Sequence, residues 1–349
     1  MFGFIGCRTT KARNARGEGI TTVKLDEATG RLDYVSELKG LVNPSYLTLN
    51  SKGTRLYAVH GDESEVSAFR VDRTTGELSV INTQSTQGLN PVHLALSPDE
   101  QALVVSNHLT SSLAVLPVGL DGALEAVTQL LELSGELGPH RVEQTCAKPH
   151  FNPFDPSGTA VIVPDKGLNQ IFSVPFKNGQ LLPEQMCSVT TKETAGPRNI
   201  AFHPSLPFAY VSNELDSTLG VFRFDQASLA LQPIQVISSV ADTFVQNSRA
   251  SAVDVHPSGK WVYVSNRGEN SVAVFEISPK TGRATLIQTC LSEGQTPRFF
   301  CISPSGRWLF VLNENSDSII RFTVNPETGL LHEATPVLKT GSPVCMLLS

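Results

Sequence analysis

Residues 196–222 read GPRNIAFHPSLPFAYVSNELDSTLGVF, and the same phrase returns along the chain. It opens on Pro197, runs through an alternating stretch to a His-Pro-Ser turn, continues as a Val-containing stretch ending at Asn213, then turns again into a third stretch. The other copies are NPSYLTLNSKGTRLYAVHGDESEVSAFRVDRTTGEL from Asn43, NPVHLALSPDEQALVVSNHLTSSLAVL from Asn90, KPHFNPFDPSGTAVIVPDKGLNQIFSV from Lys148, ASAVDVHPSGKWVYVSNRGENSVAVF from Ala250 and TPRFFCISPSGRWLFVLNENSDSIIRF from Thr296. Their leading residues are read as Pro44, Pro91, Pro149, Pro197, Ser251 and Pro297, in steps of 46 to 58 residues. Several short period-2 strands per repeat, punctuated by Gly, Pro and Ser turns, are the signature of propeller blades. The expected fold is all-β, a propeller of four-stranded antiparallel blades.

A seventh copy is split between the ends. SPVCMLLS (342–349) supplies only a first strand, while FGFIGC, GEGITTVKLDEATGRL and YVSEL near the start supply the other strands. An open ring leaves two sheet edges free to pair with other chains, so closure by both termini removes that hazard. Seven blades are expected.

Continuous repetition makes residues 1–349 one domain, against the two or three that length alone would favour. A net charge of −6 argues against a nucleic-acid partner, which would want a basic face. The cysteines (Cys7, Cys146, Cys187, Cys290, Cys301, Cys345) show no CxxC spacing and fall on or beside strands, so a reduced chain in the cytoplasm is expected. MFGFIGC lacks the basic region and apolar length of a leader, and no segment is long enough to span a bilayer. The expected partner is a small anionic lactone or carboxylate, with no nucleic acid and no membrane, and the chain is expected to be a monomer or a weak homodimer.

Positions that keep their residue type across a repeat serve the fold, and positions that turn charged in some copies are candidates for function. One such slot follows the leading residue: Ser45, Val92, His150, Arg198, Ala252, Arg298 and Val344. A second follows the Asn that ends the next strand: Gly61, His108, Lys166, Glu214, Arg267 and Glu314. In an antiparallel pair the start of one strand lies beside the end of the next, so both slots ring one mouth of the channel. Ionisable residues gather on blades 3 to 6, which makes a pocket for an anionic small molecule with a carboxylate and an imidazole at hand for proton transfer.

Two connections into that mouth are long, 132–148 with His140 and Arg141 and 238–249, and are expected to cover it. His203 and His256 read as turn residues, and Asn107, Asn213, Asn266, Asn313 and Asp165 as partners of strand-end backbone. For the mouth residues the structural alternative is an interblade ion-pair network. The chain has no G-x-S-x-G, Walker loop, G-x-G-x-x-G after a strand, H-E-x-x-H or EF-hand loop. A mouth crowded with cations does not suit a metal, and no cofactor is expected.

The phrases GPH-R-Q leading to PHFNPFDPSG, GPRNIAFHP with YVSNEL, VSNRGENS and TPRFFCISPSGRWL together resemble, over essentially the full length, the seven-bladed lactonase family that includes bacterial 6-phosphogluconolactonases and fungal carboxy-muconate cyclases. The resemblance puts His150, Arg198, Glu214 and Arg267 on the family's active-site positions, the quartet that the slots also select. Departures from the phosphogluconolactonase-like pattern are Asn152, Asn199 and DKGLNQ with Lys166 and Asn169, where a second His, a His and DLG-x-D are usual.

The expected activity is hydrolysis of an acidic sugar-derived lactone. Arg198 and Arg267 would bind the substrate anion and stabilise the oxyanion, while Glu214 and His150 divide base and acid roles in an order the residues leave open. Lys166, Arg298, His108, Asn199 and Glu314 are expected to bind substrate. The alternatives are lactonisation of a carboxylated muconate by the same groups and, in a different class, a non-catalytic propeller that binds a protein or peptide.

Overall fold

Each repeat becomes one antiparallel sheet because its strands alternate in character and its turns use residues that tolerate left-handed backbone, as Gly259 does at φ 73° and Gly306 at φ 73°. The computed structural model describes residues 1–349 and arranges them as seven four-stranded sheets. Blade 1 holds, from the channel outward, Pro44–Leu49, Arg55–His60, Glu65–Val71 and Leu78–Ser85. Blades 2, 4, 5 and 6 repeat that order from Pro91, Pro197, Arg249 and Pro297.

The split blade closes as expected. Pro343–Leu348 pairs antiparallel with Phe2–Cys7, which carries Gly19–Asp26 and Arg31–Lys39 outward. The ladder runs from Gly3 opposite Leu348 to Cys7 opposite Pro343.

Seven apolar clusters fill the seven joints between neighbouring blades. Between blades 4 and 5, for example, Phe208, Tyr210 and Leu219 meet Val262, Val264 and Phe275. Each such side chain, fully buried, contributes about 1.5–3 kcal/mol. Polar groups set the joint geometry. Tyr57, Tyr210 and Tyr263 hydroxyls donate to the carbonyls of Gly122, Gly282 and Gly329 on the following blade, at 3.2, 3.0 and 2.9 Å. Gln235 both donates to the Ala284 carbonyl and accepts its N–H, at 2.9 Å each, and Gln288 does the same with Leu331. A carboxamide there stands in for a strand's peptide group.

Blade 3 departs from the pattern. Its channel-side segment makes only two bridges, Pro149 with Asp165 and Phe154 with Val161. Pro153 and Pro164 have no N–H to give, so a full ladder cannot form across them.

Blade 5 corrects the sequence phase by one residue. Asn266 pairs with Ala250, where the other blades pair their Asn or its equivalent with Pro. Ala250, not Ser251, is the leading residue, so Ser251 rather than Ala252 occupies the first slot. Ala250 fills the position without the fixed φ that marks it elsewhere.

Removing Ser342–Ser349 strips the innermost strand of the closing blade and bares the inner edge of Phe2–Cys7. The expected outcome is loss of the native peak in size-exclusion chromatography with aggregation on expression. A monodisperse truncation with an unchanged melting temperature would contradict the closure.

Candidate active site

The first slot is a β-bulge. In blades 1, 2, 4 and 6 the leading Pro pairs with the end of the second strand, the next residue has no partner, and pairing resumes one residue later. A bulge frees one residue from the ladder and turns its side chain, which suits the rim of a channel. The freed residues are Ser45, Val92, Arg198 and Arg298, and Val344 is freed likewise in the closing blade. Together with His150 they line one cavity, floored by Tyr46, Phe151 and Phe299.

Glu214 is the hub of the charged wall. Its Oε2 lies 3.0 Å from Arg198 Nε and 3.3 Å from Arg267 Nη2, and its Oε1 lies 3.4 Å from both Lys166 Nζ and Arg249 Nη1. Burial alone would raise this carboxyl, but the charges of Arg267, Lys166 and Arg198 outweigh it and hold the group well below its ordinary range. Glu214 is therefore a fixed anion. Arg198 also donates from Nη1 to Asn199 Oδ1 at 2.8 Å, and Arg267 from Nη2 to the Ala250 carbonyl at 3.1 Å.

His150 is held neutral. Burial, then the charges of Arg198 and His108, press its imidazolium form down, while the Glu214 carboxylate opposes them. Its Nδ1 is buried and has no hydrogen-bond partner. The His108 ring lies edge-on to it at 5.2 Å between centroids, and His108 donates from Nδ1 to the Pro149 carbonyl at 3.2 Å. Burial and Lys166 bring His108 down to about 3.

Two residues outside the expected set join this wall. Glu143, from the first long connection, accepts from Lys166 Nζ at 3.0 Å and from Arg249 Nη1 at 2.7 Å. His140 on the same loop only braces its own turn, accepting the Val142 and Glu143 N–H groups, and Arg141 is exposed. Arg249 precedes Ala250 and is reached only once the blade 5 phase is corrected. Glu143 sits in a loop with no repeat to flag it.

Arg298 and Glu314 pair with each other at 3.5 Å and do not touch Glu214. Asn152 is consumed by the floor: it accepts from Ser106 Oγ, donates to the Val104 carbonyl and gives its backbone N–H to His93 Nδ1 at 3.1 Å. His203 and His256 are turn residues, bonded through Nε2 to the carbonyls of Gly259 and Gly306 on the next blade. Asn107, Asn266 and Asn313 donate to backbone carbonyls as expected, Asn213 donates to Thr218 Oγ1, and Asp165 accepts the N–H groups of Lys148, Gly167 and Leu168. A larger cleft on the opposite face, around His203, Arg223 and Asp225, gathers no comparable set of buried charges.

The arrangement, a buried carboxylate fixing two guanidiniums beside a neutral imidazole, is suited to an anionic substrate with a polarisable carbonyl. A family model described as "Lactonase, 7-bladed beta-propeller" matches residues 2–348. The chain belongs to that lactonase family. The lactonase is 32% identical to the 6-phosphogluconolactonase of Bacillus subtilis over 302 residues, which is 85% of this chain and 84% of that one. It is 30% identical to the 6-phosphogluconolactonase of Pectobacterium atrosepticum over 268 residues, 76% and 75% of the two chains. It superposes on the periplasmic gluconolactonase of Pseudomonas aeruginosa with a TM-score of 0.90 at 27% identity, covering 99% of this lactonase and 98% of that chain.

If Glu143 and Arg249 join loop to strand through one ion pair, their removal is not additive. A double-mutant cycle of Glu143→Gln and Arg249→Gln, followed by urea unfolding, is expected to give a coupling of about 0.5–3 kcal/mol. Additive losses would mean that the loop is not tethered there.

Proposed function

We propose that the lactonase hydrolyses a sugar-derived lactone bearing an anionic group, with His150 as the proton carrier and Arg198 and Arg267 as the oxyanion site. The observation that carries this is the buried, unpartnered Nδ1 of His150 in the same cavity as Arg198. A neutral imidazole is the form that can accept a proton, and Glu214 favours the imidazolium that results.

In the reaction, water attacks the lactone carbonyl as His150 takes its proton. Negative charge grows on the carbonyl oxygen, and guanidiniums already oriented by Glu214 stabilise it without reorganising. Collapse of the intermediate breaks the ring ester bond, and the imidazolium returns the proton to the departing alkoxide. The product is the open hydroxy acid. Glu214 serves as the counter-charge that holds the arginines apart and aimed, since a carboxylate so strongly favoured as an anion is a poor proton acceptor.

Lys166, His108, Asn199 and Glu314 complete the binding surface in this reading. The chain acts as one propeller unit and needs no cofactor or metal. Its place is the cytoplasm, a reading supported by six unpaired cysteines. No helix of the chain is long and apolar enough to cross a membrane.

His150→Asn is expected to lower kcat on glucono-δ-lactone or its 6-phosphate by about 10²-fold or more. Arg198→Lys keeps the charge but loses the planar fork, and weakens both KM and kcat. Glu214→Gln frees the arginines and raises KM at least as much as it lowers kcat. Retained turnover in a folded His150→Asn protein, followed by pH-stat, would remove the imidazole from the mechanism.

The pH profile gives an independent reading. The base works only unprotonated and its pKa lies well below the ordinary 6.5, so kcat/KM should stay level down through pH 6.5 and fall only at clearly more acid pH. An acid limb centred at or above pH 6.5 would assign the proton transfer to another group.

A further inference from the structure

Tyr46, Phe151 and Phe299 floor the mouth cavity and also line a second cavity in the channel. This chamber, of about 210 Å³, is completed by residues of blades 4, 5 and 6, among them Phe202, Asp254 and Phe300. Phe202 lines the cleft on the face opposite the mouth as well, so the chamber lies on that side of the aromatic floor. Its volume is below the roughly 300–1,000 Å³ of a site for a drug-sized ligand, so an occupant must be small.

Asp254 is the one charged residue in this lining. Its neighbours on the innermost strand of blade 5, Val253 and Val255, are buried, whereas Asp254 itself stays exposed within the channel. Its Oδ1 accepts the Val255 N–H at 2.8 Å, and no cation of the protein pairs with the carboxylate. Enclosure by protein pushes its pKa up to about 6, which leaves it an anion at pH 8, but a costly one. Enclosed charges are ordinarily paired, and here the partner has to come from outside the chain.

The surroundings say which partner fits. The rings meet edge to face, with 82° between the planes of Tyr46 and Phe151 and 83° between those of Tyr46 and Phe299. Aromatic rings at right angles beside a carboxylate are the arrangement that recognises an organic ammonium, through ring faces for its alkyl groups and an anion for its charge. A divalent metal needs about six oxygen ligands, which one carboxylate among hydrocarbon rings does not supply.

We propose that this chamber binds a small organic ammonium ion, with Asp254 as its counter-ion and Tyr46, Phe151, Phe202, Phe299 and Phe300 as its walls. The site does not depend on the lactonase reading. The mouth on the other side of the floor, lined by Arg8, Arg198 and Arg298, repels the same cation.

Choline and its uncharged isostere 3,3-dimethylbutan-1-ol serve as probes, titrated calorimetrically into the full-length protein at pH 8 and constant ionic strength. Choline should bind about ten-fold more tightly than the alcohol or better, and Asp254→Asn should erase that preference. Phe202→Leu keeps the carboxylate and should weaken choline by about two- to five-fold. Thermal unfolding without any probe separates a ligand site from a merely structural aspartate. A carboxyl whose pKa is raised on folding costs stability once the pH is above that pKa, so at pH 8 Asp254→Asn should melt no lower than the wild type. Equal binding of the two probes, no binding of choline by the wild type, a choline preference that survives Asp254→Asn, or a lowered melting temperature in that variant would each overturn the proposal.

Discussion

The pairing of Pro343–Leu348 with Phe2–Cys7 is the constraint on which the rest of the molecule depends. Seven sheets can share a channel only if the ring is shut, because an open end would leave the first and last blades each with an apolar face and no neighbour. Shutting it brings the bulged residues and the second-strand ends of the blades to one rim. It also delivers Arg8, whose place at the mouth exists only because the strand before it is sandwiched into the last blade. Stability and chemistry are thus set by the same ladder.

Within the rim, charge is arranged rather than accumulated. The chain as a whole carries −6, yet the mouth is dominated by arginine and lysine. Glu214 offsets the repulsion among Arg198, Arg267, Lys166 and Arg249, and Glu143 ties the last two to the covering loop. Such a network costs several kcal/mol in desolvation, which its ion pairs offset only with good geometry. The interblade ion-pair network, read from the sequence as the alternative to a site, is present here, and the arginines proposed for catalysis are members of it. The bonds that hold blades 3, 4 and 5 together are the bonds that orient the guanidiniums.

Most of this was legible in the sequence because a repeat lets each position be judged against its equivalents. His150, Arg198, Glu214 and Arg267 stood out as charges in slots that other blades fill with Ser, Val or Gly. The reading failed where equivalence is hidden. In blade 5 the marker Pro is replaced by Ala250, so the phase slipped by one and Arg249 was passed over. Arg8 sits in the split repeat, far in sequence from the strand that gives it a register. Glu143 lies in an insertion that no other blade has. The division of roles between Glu214 and His150 depends on which is beside more cations, and that is a distance between blades.

Of the two departures, Asn152 belongs to the aromatic floor, while Asn199 accepts from Arg198 in the charged wall. Tyr46, His93, Phe151 and Phe299 meet across the channel, with centroids 4.4 Å apart for Tyr46 and His93 and 3.8 Å for His93 and Phe151. Burial drives His93 down to about 3, so this ring stays an uncharged part of the plug, and Asn152 fixes its edge. A plugged channel makes the mouth a blind pocket. In a pocket with one opening and a dry floor, electrostatic contacts to the reacting carbonyl are little screened. In the proposed reaction Arg198 and Arg267 would therefore act at greater strength than the same residues at the end of an open, water-filled channel.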